Sequence, residues 1–336
     1  MSNRKTLSLV MAAAAVLSTV SSSALPVNAK EAVARPHMDL AFCIDTTGSM
    51  QHEIDMVKNK TKELVAKLST GKPAPIVRVG LVAYRDRGDE YVTKVFPFSD
   101  NIDQVVKDIS SLKAAGGGDG PESVNEGLHV ALNSLEWGKE KDTAKLLFLI
   151  GDAGPHDYPG DYKWDDESKK AIARGIQINT IACSGLENYY GTRGVDVFKQ
   201  IAKLTDGKYD TLAYRSEIVD ASGKRETVVT AAGATYKMRA GEKDWKAAAA
   251  YGRMDKAVIM SASPMPMTVM GGKSLSRRGY APGAAGAETS LASESFVGGV
   301  GGGASYNAPS RSDSNLDEIV LGAARAKAKK QLNVSY

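Results

Sequence analysis

Cysteine is scarce: Cys43 and Cys183 are the only two in 336 residues, and each sits inside an apolar, strand-like run. So few thiols exclude a disulfide framework and a thiolate metal cluster. The strand order expected below puts one strand between them, with Cα atoms about 10 Å apart, beyond the reach of a disulfide. They are read as two small buried hydrophobes. Long apolar runs are missing too. After residue 29 nothing approaches the roughly 20 consecutive apolar residues of a membrane helix, so no integral membrane segment is expected once the N-terminus is removed. An excess of one charge is also lacking. Forty-three basic residues face 39 acidic ones, a formal +4, and nothing in that balance points to nucleic acid.

The first 29 residues read as a secretory leader. Arg4 and Lys5 supply the positive start, Leu7 to Val20 a short apolar core, and Val27-Asn28-Ala29 a small-residue cleavage site. Losing the two basic residues brings the charge to about +2. The expectation is an exported bacterial protein, periplasmic, extracellular or on the cell surface.

From residue 38 the chain alternates between two periods. "MDLAFCID" is a continuous apolar run of the kind that forms a strand buried on both faces. Ile54, Val57, Leu64, Val65 and Leu68 then share one helical stripe. "IVRVGLVAYRD" and "YVTKVFPFS" read as a hairpin. Helical patterns follow at Ile102 to Leu112 and, with Pro121 in its first turn, Val124 to Leu135. "AKLLFLIGD" and "IQINTIACS" are further strands, with helices at "ESKKAIARG" and "VDVFKQIAKLTDG", and "KYDTLA" as the last strand. This alternation predicts a doubly wound, Rossmann-like α/β domain over residues 37–214. Its sheet is mostly parallel, with one antiparallel edge strand and helices on both faces. Residues 215–262 read as a small α/β extension, with a hairpin around "DASGKRETVV". Residues 263–313, rich in Gly, Ser and Ala, read as a flexible linker. Residues 314–333 read as an amphipathic helix, capped by Asn315 with Glu318. That helix could dock on its own domain, a neighbour or an anionic surface.

In a doubly wound sheet the ligand site lies beyond the carboxyl ends of the strands. The loops there carry Asp45, Thr47 and Ser49 after the first strand, Asp119 in the glycine-rich "AAGGGDGPE", and Asp152 after "LLFLIG". All are hard oxygen donors, suited to Mg²⁺ first, or to Ca²⁺ or Mn²⁺, and ill suited to zinc or copper. Alternate positions 45, 47 and 49 can face one ion if the loop turns at Gly48. Arg85, Asp86, His156 and Asp157 lie on the same edge and are candidates for a partner-binding rim. A solvated ion pair between Arg85 and Asp86 is the plainer expectation. Glu122 has two readings of equal standing, a charge complementing a helix dipole or a metal role.

These residues resemble the metal-ion-dependent adhesion site of the von Willebrand factor A domain, written Asp-x-Ser/Thr-x-Ser with an aspartate after a later strand. Asp45, Thr47, Ser49 and Asp152 match it residue by residue. "AYRDRGD", "GGGDGPE", "SLEW" and "IGDAGPH" resemble the branch found in hemicentin-type proteins and in proteins joining this domain to an alpha-kinase. No kinase portion is recognisable here. Where most of the family has a threonine, this chain has Asp119, a third carboxylate expected to hold the ion more firmly and pull less on a ligand. The resemblance implies a non-enzymatic module that grips a protein partner's acidic side chain through a divalent cation. Two alternatives stand beside it: a purely structural metal with the partner surface elsewhere, and a metal-dependent phosphatase. "FCIDTTGS" also resembles the haloacid dehalogenase-like strand ending in a nucleophilic aspartate, but that family's second aspartate is here Thr47, which leaves no proton donor for the leaving group. A P-loop and a supported Ser-His-Asp set are both absent.

Overall fold

The computed structural model describes residues 35–140, 142–187, 193–219, 225–239, 241–242, 244–250, 253–256 and 311–336. The expected leader, and the expected linker as far as residue 310, lie outside them.

The first sheet is built from β1 (His37–Asp45), β2 (Ile76–Tyr84), β3 (Thr93–Ser99), β4 (Thr143–Gly151), β5 (Ile176–Ala182) and β6 (Tyr209–Thr211). Its order is β3-β2-β1-β4-β5-β6, with β3 antiparallel to β2 and the other pairs parallel. The order reverses between β1 and β4, so the crevice of this fold opens above the ends of those two strands.

The apolar run of β1 is continuous because both of its faces are covered. Met38, Leu40, Phe42 and Ile44 face one layer, and Ala41 and Cys43 the other. β4 repeats the division, and Phe42 meets Phe148 at 5.8 Å between ring centroids. The first layer holds α1 (Gln51–Leu68) and α2 (Ile102–Ser110); the second holds α3 (Val124–Asn133), α4 (Trp164–Ala173) and α5 (Gly194–Leu204). Pro121 falls before α3, in the loop, not in its first turn as expected. Cys43 and Cys183 are buried and unbonded, and burial pushes both thiols above their ordinary range.

The chain then adds β7 (Ala213–Val219), β8 (Arg225–Ala231), β9 (Ala234–Met238), α6 (Trp245–Ala250), β10 (Met254–Lys256), β11 (Arg311–Ser314) and α7 (Leu316–Leu332). The strands form a second, antiparallel sheet in the order β10-β9-β8-β7-β11. The last residues of the expected linker are therefore a strand, because β7 offers an edge for them to pair with.

α7 docks on its own domain. Leu316, Val320, Ala324 and Ala328 are buried in the same layer as α1, and Gln331 donates to the carbonyl of Thr143 at 2.9 Å. Asn315 does not cap this helix with its side chain as expected. Its Oδ1 accepts from the backbone N–H of Ala213 at 2.8 Å, tying the helix start to β7. Lys246 reaches both carboxylate oxygens of Asp317 at 2.7 and 2.8 Å, and Lys60 of α1 reaches Asp313 at 2.7 Å. Among the described residues no helix is long and apolar enough to cross a membrane.

Candidate metal centre

Asp45 ends β1 fully buried. Its Oδ1 accepts from the backbone N–H of Thr47 at 2.8 Å and from Thr47 Oγ1 at 2.7 Å. Its Oδ2 is buried with no hydrogen-bond partner among the described residues. Asp152, beyond β4, is buried and accepts from Ser49, whose own position is exposed. Within the alternation of 45, 47 and 49, Thr47 folds back on Asp45, and Ser49 reaches across to Asp152.

A third buried carboxylate lies near Thr47, under the glycine-rich loop. Glu122 is 4% exposed, and its Oε2 is a second buried oxygen with no partner among the described residues. Gly117 has φ +74°, and an added Cβ there would stand 2.9 Å from Glu122 Oε1 and 3.1 Å from Thr47 Cβ. The glycine-rich loop is glycine-rich here because it closes over these two side chains. On the other side, a Cβ on Gly151 would fall 2.5 Å from Tyr84 Oη and 3.6 Å from Asp45 Oδ2. Glu53, on the first turn of α1, is also buried. Its Oε1 accepts from the hydroxyl of Tyr214.

The electrostatics follow from burial and like charge. Asp45 is held well above the carboxylate range, first by desolvation and then by Asp152. Two hydrogen bonds to a charged group return about 1.5–3 kcal/mol each, which does not offset those two effects. Desolvation, then Asp45 and Asp86, push Glu122 up to about 10, and desolvation raises Asp152 to about 6. Among the described residues no lysine, arginine or histidine pairs with Asp45, Glu122 or Asp152. Buried carboxylates without a cation partner, two of which, Asp45 and Glu122, have an oxygen left over among the described residues, fit a hard divalent ion.

The remaining sequence-predicted residues are arranged differently. Asp119 sits at the rim with its side chain 61% exposed, and its Oδ1 lies 3.2 Å from His156 Nε2. Asp86 is buried, and its Oδ2 is likewise 3.2 Å from His156 Nε2. Asp157 points away, paired with Lys163. The expected surface ion pair of Arg85 with Asp86 does not form, because both residues are buried with other partners. Arg85 donates to the carbonyls of Thr46 at 3.1 Å and Lys113 at 2.7 Å, and its guanidinium lies 4.2 Å from the Tyr91 ring centre. Its role is to clamp the loops on either side of Asp45. Sequence reading weighed Glu122 without assigning it, and passed over Glu53. A glutamate four residues after Ser49, on the inward stripe with Ile54 and Val57, was the available signal for Glu53.

A parallel-centred sheet with an acidic crevice at its switch point defines a von Willebrand factor A-type module. The chain belongs to the von Willebrand factor A domain family, whose model matches residues 39–216. It is similar to the alpha-protein kinase vwkA of Dictyostelium discoideum, 24% identical over 197 residues, covering 56% of this chain and 31% of the kinase. It is also similar to human von Willebrand factor A domain-containing protein 7, 35% identical over 122 residues, covering 36% of this chain and 12% of that protein. The chain thus spans less than a third of the length of either relative. Among solved structures, the proximal thread matrix protein 1 of the mussel byssus, with a zinc-occupied MIDAS motif, aligns at 18% identity and a TM-score of 0.41, covering 53% of this chain and 42% of that one. Domains of this family are generally non-catalytic binding modules.

Proposed function

We propose that this chain is an exported binding module that engages a protein partner through a divalent cation, Mg²⁺ first and Ca²⁺ or Mn²⁺ next. Asp45, Thr47, Ser49 and Asp152 hold the ion, directly or through its waters, and Glu122 adds a third carboxylate. Asp119, the donor expected for that role, stands at the rim with His156. One observation carries the reading: Asp45 and Glu122 each bury an oxygen that no group among the described residues satisfies. When bound, the cation would neutralise this cluster and offer an electrophilic position to an acidic side chain of the partner. The residues of the chain shape that position. Thr47 orients Asp45, the Arg85 clamp holds the loop, and the exposed Ser49 leaves the crevice open on the solvent side. Thr47 also occupies the place where a phosphatase of the haloacid dehalogenase type would carry its proton donor, which argues against turnover. Export rests on the leader-like N-terminus.

Calorimetric titration of the metal-stripped chain with Mg²⁺, beside Asp45→Ala, tests the reading. One saturable site that disappears in the variant supports it. A folded wild-type protein that takes up no Mg²⁺, Ca²⁺ or Mn²⁺ would sink it.

A further inference from the structure

The end of the first sheet opposite the crevice carries a surface of another kind. β2, β1, β4 and β5 lie side by side and run parallel, so all of them begin at the pole farthest from Asp45. A basic residue precedes each: Lys72, Arg35, Lys139 and Arg174 in that order. Helices that run back against parallel strands end at this pole too. α5 brings Lys203, and α7 brings Lys329 and Lys330. The bond from Gln331 to the carbonyl of Thr143 sets the end of α7 beside the start of β4. All of these basic residues are exposed.

Their charge is left uncompensated. Among the described residues no carboxylate forms an ion pair with any of them. Arg35 donates to the carbonyls of Ala74 and Pro75 at 3.0 and 3.2 Å, and Arg174 to that of Leu132 at 2.6 Å. Beside the crevice the pattern is reversed: Arg85, Arg87 and Lys163 pair with Glu90, Asp161 and Asp157. Glu136, Glu140, Asp142 and Asp206 share the loops of the basic pole, where the cations outnumber them. Like charges crowd there. Burial, then Lys330, pushes the Lys327 ammonium below its ordinary value, against the opposing pull of Asp206.

An independent observation concerns apolar groups. Ile172 at the end of α4, Leu204 at the end of α5 and Tyr336 at the end of the chain are 40%, 41% and 44% exposed. Ser335 pairs with Lys72, so Tyr336 stands beside the loop that leads into β2. Among the described residues only Val95 and Tyr162 are comparable large exposed hydrophobics elsewhere. Helix dipoles account for basic residues at the end of α7. They do not account for cations that precede strands, or for the apolar side chains among them. Cations interspersed with exposed apolar groups on one face are what an anionic lipid interface attracts.

We propose that this basic pole docks the chain peripherally on an anionic phospholipid bilayer, with the Asp45 crevice facing away from it. A soluble polyanion would use the cations and ignore Ile172 and Leu204, whereas a bilayer takes both. The two poles then have separate tasks, and the docking does not need the crevice to be filled.

The test is co-sedimentation of the chain beginning at Lys30, which keeps every described residue, with phosphatidylglycerol-rich vesicles and with pure phosphatidylcholine vesicles. Binding to the first and not to the second, weakened by added salt, is the expected result. Each cation at an anionic surface is worth about fivefold in affinity, so Lys329→Ala with Lys330→Ala should lose about twentyfold. Ile172→Ser with Leu204→Ser should weaken vesicle binding about fivefold or more. Circular dichroism confirms that these exposed positions leave the fold intact. No binding to phosphatidylglycerol, or binding that the lysine variant leaves unchanged, overturns the proposal. A DNA duplex bound as tightly as the vesicles, together with no effect of the Ile172 and Leu204 changes, overturns it in favour of a polyanion site. Loss of vesicle binding in chelator or in Asp45→Ala also overturns it, because the crevice would then hold the lipid. The Mg²⁺ titration above judges the crevice separately, so either pole can fail without the other.

Discussion

Arg85 Nε donates to the backbone carbonyl of Thr46 at 3.1 Å, joining the end of β2 to the loop that follows Asp45. The same guanidinium reaches Lys113 O, so one buried side chain spans two of the loops that surround the crevice. Arg85→Ala leaves both carbonyls without this donor. It should cost about 2–4 kcal/mol of stability, the range for losing buried charge-assisted hydrogen bonds. Mg²⁺ affinity should fall about tenfold, as for other outer-shell losses. Denaturant unfolding and calorimetry on the same preparation check both, and Mg²⁺ affinity equal to wild type would show that the clamp does not set the crevice.

The pH dependence of the metal-free chain should run opposite to that of an ordinary salt-bridged carboxylate. Asp45, Glu122 and Asp152 have folded-state values raised above their unfolded ones, to about 6 for Asp152 and about 10 for Glu122. Between an unfolded value of about 4 and those folded values, the native state holds more protons than the unfolded one, so stability falls as pH rises. In chelator, the denaturation midpoint should be higher at pH 5 than at pH 8. Saturating Mg²⁺ should flatten or reverse the difference, because the ion replaces the protons. A chelated protein more stable at pH 8 than at pH 5 would contradict the assignment.

Tyr214 links the second sheet to the centre through its hydrogen bond to Glu53. Tyr214→Phe removes the hydroxyl and keeps the ring that packs against His52 at 5.2 Å. The expected loss is about 1–3 kcal/mol, the cost of taking a partner from a buried polar group. Thermal melts with and without Mg²⁺ measure it, and an unchanged midpoint would mean that Glu53 is satisfied without this bond.

The last helix should behave as core, not as a tethered arm. Leu316 is fully buried in the layer shared with α1, so Leu316→Ala should cost about 2–5 kcal/mol. Urea unfolding followed by circular dichroism reports this as a single transition shifted downward. A separate early transition for the helix would count against its place in the core.

The period of the apolar residues was enough to determine the α/β alternation, the parallel sheet and the loops that carry Asp45 and Asp152. Strands buried on both faces leave continuous hydrophobic runs, and helices leave stripes. Turn chemistry placed Thr47, Gly48 and Ser49 correctly for a similar reason: their local geometry depends on near neighbours in the chain. Contacts distant in sequence were decided by the fold alone. Asn315 and Glu318 carry a local capping pattern, yet Asn315 is used to hold Ala213, 102 residues away. Arg85 and Asp86 look like a surface pair, yet each turns inward to a partner on another loop. Glu122 is acidic before a helix in any reading, and only the fold buries it beside Gly117 and Thr47. A local pattern constrains φ and ψ; which buried charge meets which is set by packing, and packing belongs to the whole chain.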